Sequence, residues 1–279
     1  MADQRIKSTE EMVGSGHATK TDTLNRLTLV EHNDTGSHAA ANESIRGLVV
    51  SRSDDANLAI SAGWVVIDDG ARIERRALAV STTKAHGETG GALVTVYVYI
   101  DPDAASGGTR PTLNSNNIVV NTTAPTWDAA KGGLYSSNMR CVGAWFIDTD
   151  NHAYSTLVAH PDGETVLWMK EGAICNDQVN TNYANQDFSA FCPLVDKTVV
   201  FFRAHQQYVS AAGSLYSKGY DLVGTDGHII GTVEVDSRQS TVRTWEFGYI
   251  STTHLYVDFK TNNAGAKYSI FCTGWRLLR

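Results

Sequence analysis

Residues 93–103 read LVTVYVYIDPD. Laid out as an extended chain, Val94, Val96, Val98 and Ile100 fall on one face, and Thr95, Tyr97 and Tyr99 on the other. A period of two in β-branched and aromatic residues commits the stretch to a strand. Asp101-Pro102-Asp103 supplies the turn chemistry that ends it. A second apolar run, 141–147, stops at Asp148-Thr149-Asp150-Asn151, which reads as a strand-ending turn. Between them lie Trp127 and a turn over 131–135. The pattern predicts a compact β module that links the segments on either side of it.

Composition extends that reading to the whole chain. Only 19% of the 279 residues are charged, there are 24 glycines against 5 prolines, and Ser, Thr, Asn and Gly fill the gaps between short apolar runs. This is an all-β composition with many turns, in a chain long enough for two domains. The formal net charge is −7, and the one basic cluster, Arg72-Ile73-Glu74-Arg75-Arg76, carries an acid. It is expected to be a solvated strand face, with no partner evident for Glu74. A nucleic-acid partner is not expected. No stretch is long and apolar enough to span a bilayer, so no membrane insertion is expected. The N-terminus has no apolar core of the secretory kind, so synthesis in a cytoplasm is expected. Cys141, Cys175, Cys192 and Cys272 form no C-x-x-C pair and are expected to be buried free thiols.

Taken in order, residues 1–46 have too few apolar residues to fold alone. Leu24, Leu27 and Val30 recur at intervals of three, and a turn signal comes next at Asn33-Asp34-Thr35-Gly36. The segment is expected to be an arm that needs a partner surface. Residues 47–160 are read as a connector of short strands, with a hairpin at Asp68-Asp69-Gly70, a further strand over 77–81 and a loop over 84–91. The Pro/Gly/Asp-rich stretch at 159–163 is read as the main boundary. Residues 165–279 are read as a β-sandwich in which 262–265 close a hairpin.

The order GWVVIDDG, VYVYIDPD, PTWDAAKGGLY, RCVGAWFIDTDN, preceded by ATKTDTLNRLTLVEHNDTGSH, resembles the arm and connector β-domain of tail-fibre and tail-tip proteins of tailed bacteriophages. The resemblance covers residues 17–152. It implies an all-β virion protein with an extended N-terminal attachment arm, a small connector and a jelly-roll-like C-terminal β-sandwich. It also implies a homotrimer docked through its arm on other tail or baseplate proteins. The distal domain would then touch a host cell-surface receptor such as a glycan. Alternatives are a purely structural baseplate, collar or head-fibre component, and a virion-associated glycan depolymerase.

Nothing in the sequence reads as catalytic. There is no G-x-S-x-G elbow, no phosphate-binding glycine loop and no carboxylate pair with a geometry that spacing alone establishes. No cofactor is expected. The candidates for ligand contact are four aromatics of the second domain, Tyr183, Tyr208, Trp245 and Tyr249, because a sugar offers apolar CH faces to aromatic rings. The candidates for a metal are His32 and His38, which in a trimer could ring an axis.

Overall fold

The computed structural model describes residues 44–179, 184–193, 195, 198–208, 213–219, 228–235, 241–250, 256–261, 265–277 and 279. At 171, at 184–185 and through the strands between 206 and 260 it describes the backbone alone. No α-helix occurs among the described residues, so none there crosses a membrane as a helix.

The first half holds β1 (Ile45–Gly47), β2 (Val50–Arg52), β3 (Asn57–Ile60), β4 (Gly63–Asp68), β5 (Ile73–Leu78) and β6 (Thr82–Ala85). After them come β7 (Val94–Ile100), β8 (Thr112–Leu113), β9 (Ile118–Asn121), β10 (Thr126–Asp128), β11 (Gly133–Ser136) and β12 (Met139–Ile147). They form three sheets, ordered β1-β4-β5-β8, β2-β3-β6 and β10-β11-β12-β7-β9. The Asp68–Gly70 turn joins β4 to β5 as expected, with Ile67 opposite Glu74. Two expectations fail here. Residues 77–78 complete β5 rather than start a new strand, and the expected loop after residue 84 begins inside β6.

Both faces of β7 are covered. Val96, Val98 and Ile100 belong to the main core, while Tyr97 and Tyr99 lie in a second cluster with Leu134, Cys141, Val195 and Leu277. The tyrosine face of the alternating run is therefore buried as well. The Tyr99 hydroxyl keeps a partner by donating to the Thr123 carbonyl at 2.5 Å. The pairing of β12 with β7 shifts between Cys141 and Gly143, and a Cβ on Gly143 would meet Val50 Cγ2 at 2.6 Å. Only glycine lets β2 lie that close.

The second half holds β13 (Leu157–Ala159), β14 (Thr165–Gln178), β15 (Ala184–Asp187), β16 (Thr198–Tyr208), β17 (Gly213–Gly219), β18 (His228–Val235), β19 (Thr241–Ile250), β20 (Tyr256–Thr261) and β21 (Ala266–Leu277). One sheet runs β13-β14-β21-β16-β19 and the other β15-β20-β17-β18, with antiparallel neighbours throughout. From β14 onward the chain alternates between sheets, except at the β17–β18 hairpin. The first and last of these eight strands lie side by side. This is the wiring of a jelly roll, in line with the expected sandwich. The hairpin expected over 262–265 is the exception: β20 and β21 lie in different sheets and do not pair, and residues 262–264 themselves lie outside the described residues. The polar 176–187 stretch, which has no apolar alternation, nonetheless contributes the end of β14 and all of β15.

The two halves share apolar surface. Phe146 on β12 packs edge-on against Trp275 on β21, with ring centroids 5.3 Å apart, and meets Trp168 on β14 at 5.8 Å. Tyr154 and Phe191 close the ring around Trp168. The 160–164 stretch is the turn of the β13–β14 hairpin, so β13, which precedes the expected boundary at 159–163, is bonded into the main sheet of the second half.

Candidate functional site

The residues that the sequence marks for ligand or metal do not form one described site. His32, His38 and Tyr183 lie outside the described residues. Tyr208, Trp245 and Tyr249 lie on β16 and β19, where the backbone alone is described. Trp245 is the register partner of Phe202. Tyr208 lies just beyond the Gln206–Thr241 end of that ladder, whereas Tyr249 sits beside its Thr198–Ile250 end. At about 3.3 Å per residue, the two tyrosines stand roughly 30 Å apart along the strands. Trp168 is a core residue whose indole donates to the Phe191 carbonyl at 3.0 Å.

The basic cluster departs from its expected role at two positions. Arg76 is fully buried, and its guanidinium donates to the carbonyls of Pro102, Gly108 and Thr112. Its strand position points it beneath the 101–112 loop, which it ties down. Glu74 is paired, with Arg110 at 2.6 Å. Arg110 also reaches Asp69 at 2.8 Å and Asp103 at 2.5 Å, so three carboxylates converge on one guanidinium. Burial works against the Asp69 carboxylate, but hydrogen bonds from Arg110 and from the amides of Arg72 and Ala71 hold its pKa below the usual carboxylate range. Nothing in the local sequence identifies Arg110 as the partner, because it arrives from a different loop.

Arg140 and Arg279 are buried in the same manner. Arg140 donates to the carbonyls of Val66 and Gly132, the Tyr135 hydroxyl and the Ser44 hydroxyl. Arg279 donates to the carbonyls of Gly47, Leu48, Val142 and Asp162. These guanidiniums act as staples, each using its terminal N–H donors to tie together segments that are remote in sequence.

Asp148, Asp150 and His152 bring one ligand atom each within 4.8 Å of the others. Asp148 Oδ1 is occupied, since it accepts the amides of Asp150 and His152, both at 2.9 Å. That is the strand-ending turn the sequence predicts. The four cysteines are free thiols. Burial pushes the pKa of Cys141 and Cys272 up to about 12 and that of Cys175 up to about 11.

Two clefts open among the described residues at the junction of the halves. One, of about 470 Å³, is walled by Val94, Tyr97, Ala124, Phe146 and Ala190. The other, of about 360 Å³, is polar and lies where the described chain begins, between Ser44–Gly47 and the 161–164 turn. Burial pushes the Glu164 carboxyl upward there, against the pull of the Arg279 charge.

No family model matches the chain. No curated protein matches it either. Among solved structures, the Tobacco streak virus coat protein aligns with 44% of this chain and 87% of its own, at 8% identity and a TM-score of 0.25. The infectious bursal disease virus Gx strain structure aligns with 90% of this chain and 77% of its own, at 11% identity and a TM-score of 0.23. The VP2 subviral particle of the same virus aligns at 10% identity and a TM-score of 0.21. Scores this low carry no argument, and the fold assignment rests on the strand order itself: an all-β chain whose second half is wired as a jelly roll.

Proposed function

We propose that this chain is a non-enzymatic virion structural protein of the tail-fibre or tail-tip kind. Residues 1–46 would attach it to the particle, and the 165–279 jelly roll would meet the host surface. The observation that carries the reading is the succession of parts. A non-autonomous arm and the GWVVIDDG…VYVYIDPD…RCVGAWFIDTDN connector lead into a jelly roll, a scaffold used for both capsid and lectin domains. The shared aromatic cluster suits a rigid connector, since it fixes the angle at which the distal domain is presented. Binding by each copy would be weak and strengthened by a threefold assembly.

The test uses the full chain. Labelled protein should bind susceptible cells, and an excess should lower plaque counts. Gold-labelled antibody should mark the tail of the virion. Tail label without cell binding or competition would refute the adhesin role and leave a purely structural one. Absence of the chain from purified virions would refute both. Release of reducing ends from host polysaccharide would refute the non-enzymatic part.

A further inference from the structure

The outer face of the β13-β14-β21-β16 sheet is apolar where a solvent-facing jelly roll would be polar. On β14, Val166 and Trp168 point into the core, so Leu167 and Met169 point out, and they are 40% and 71% exposed. The register carries this face across four strands. Val158 pairs with Leu167, Leu167 with Gly274, and Gly274 with Phe201. Val158 is 46% exposed. A Cβ on Gly274 would meet the Val166 carbonyl oxygen at 2.4 Å and Leu167 Cδ2 at 2.9 Å, so the middle of the row carries no side chain of its own and Leu167 lies over it. Two cations rim the band. Arg276 stacks on the Phe201 ring at 5.9 Å, and Arg203 on the Phe271 ring at 5.2 Å. An exposed apolar patch rimmed by polar groups marks an interaction site, and aromatic, methionine and arginine residues are enriched at contact surfaces.

We propose that this band is the docking site for residues 22–34 of the same chain, DTLNRLTLVEHND. The inference rests on the reading of 1–46 as an arm that cannot fold alone. The segment offers Leu24, Leu27, Leu29 and Val30 to the band. Its acids Asp22, Glu31 and Asp34 outnumber its one arginine, Arg26, which complements the arginine rim. Its position also fits. The described chain begins at Ser44, whose hydroxyl reaches the Arg279 carbonyl beside the 161–164 turn. Met169 lies five residues along β14 from Glu164, about 17 Å at strand spacing. The residues between 34 and 44 can span roughly 30 Å. Tethering at that range gives a millimolar effective concentration, which favours the chain's own segment over a second copy. The contact keeps the arm's apolar residues covered until a virion partner displaces them.

Hydrogen exchange on the full chain, read by mass spectrometry, tests this. Amides of 24–30 should exchange at least about tenfold more slowly than an unstructured peptide, equally at low and high protein concentration. Met169→Glu and Val158→Glu, at exposed positions, should abolish that protection while leaving exchange in β16 and β21 unchanged. In the reverse direction, Leu24→Ser with Leu27→Ser should speed peroxide oxidation of Met169. Unprotected amides in the wild type, or protection indifferent to the band variants, would overturn the proposal. Protection that grows with concentration would identify a second copy as the occupant and overturn it too. None of these results bears on virion labelling or cell binding, so the proposed function stands or falls separately.

Discussion

Replacing Phe146 by alanine tests whether the two halves of the chain are one cooperative unit. The ring is fully buried and bridges β12 to Trp168 and Trp275 across the junction. A buried Phe→Ala change costs about 3–5 kcal/mol from lost transfer energy and the cavity left behind. The native state is worth only about 5–15 kcal/mol, so this is a large fraction. With a urea slope of about 3 kcal/mol per molar, the midpoint should fall by about 1–1.7 M. Urea titration monitored by both tryptophan fluorescence and far-UV circular dichroism is the assay. Both signals should move together in a single transition before and after the substitution, because the perturbed cluster belongs to both halves. A double-mutant cycle with Trp275→Leu should show coupling of about 0.5–3 kcal/mol. Two separate transitions in the wild type, with the substitution shifting only one, would refute the reasoning. The halves would then be independent domains that merely touch.

Other predictions concern single residues. Arg76→Met strands the carbonyls of Pro102, Gly108 and Thr112 and should cost several kcal/mol, about 1–3 for each buried carbonyl left unpaired, whereas exposed Arg72→Met should stay within about 0.5 kcal/mol. Equal effects in thermal denaturation would contradict the buried staple. Asp69 has a folded pKa below its unfolded value, so its stabilising contribution is complete above the unfolded carboxylate range and is lost as pH falls through the folded value. Asp69→Asn should therefore lower the melting temperature at pH 7 and converge with wild type under strongly acidic conditions; a gap that widens with acid would be the wrong sign. Native protein at neutral pH should react slowly with a thiol reagent, with partly exposed Cys175 first and the other three only after unfolding. Rapid labelling of all four would contradict the burial of Cys141, Cys192 and Cys272.

The sequence signals that prove reliable are those whose cause is local. The alternation in 94–100 and the Asp-Gly turn at 69–70 depend on neighbours a few residues away, and both appear in the structure as read. Arg76 escapes such a reading because its three carbonyl partners lie in a loop well downstream, and nothing about an arginine in a strand distinguishes a solvated side chain from a stapled one. The hairpin expected over 262–265 shows the same limit: the local residue types signal a reversal, but the sheet that takes β21 is set by β14 and β16, far upstream. The polar 184–187 strand carries no periodicity, and what marks it as a strand is its main-chain pairing with β20. The four aromatic candidates have only composition in common, and composition cannot tell that Tyr208 and Tyr249 sit at opposite ends of one ladder.

The position of β21 between β14 and β16 sets a condition on biogenesis. As a ribosome delivers the chain, β14 emerges with only the three residues of β13 to pair with, and its apolar residues stay open on both faces. Its other neighbour arrives only after every intervening strand has been made, so Val166 must wait for Trp275. Closing so distant a pair is slow, and the waiting strand is exposed to other nascent chains on the same message. Expression at low temperature or with added chaperone should therefore raise the soluble yield more than any surface substitution would.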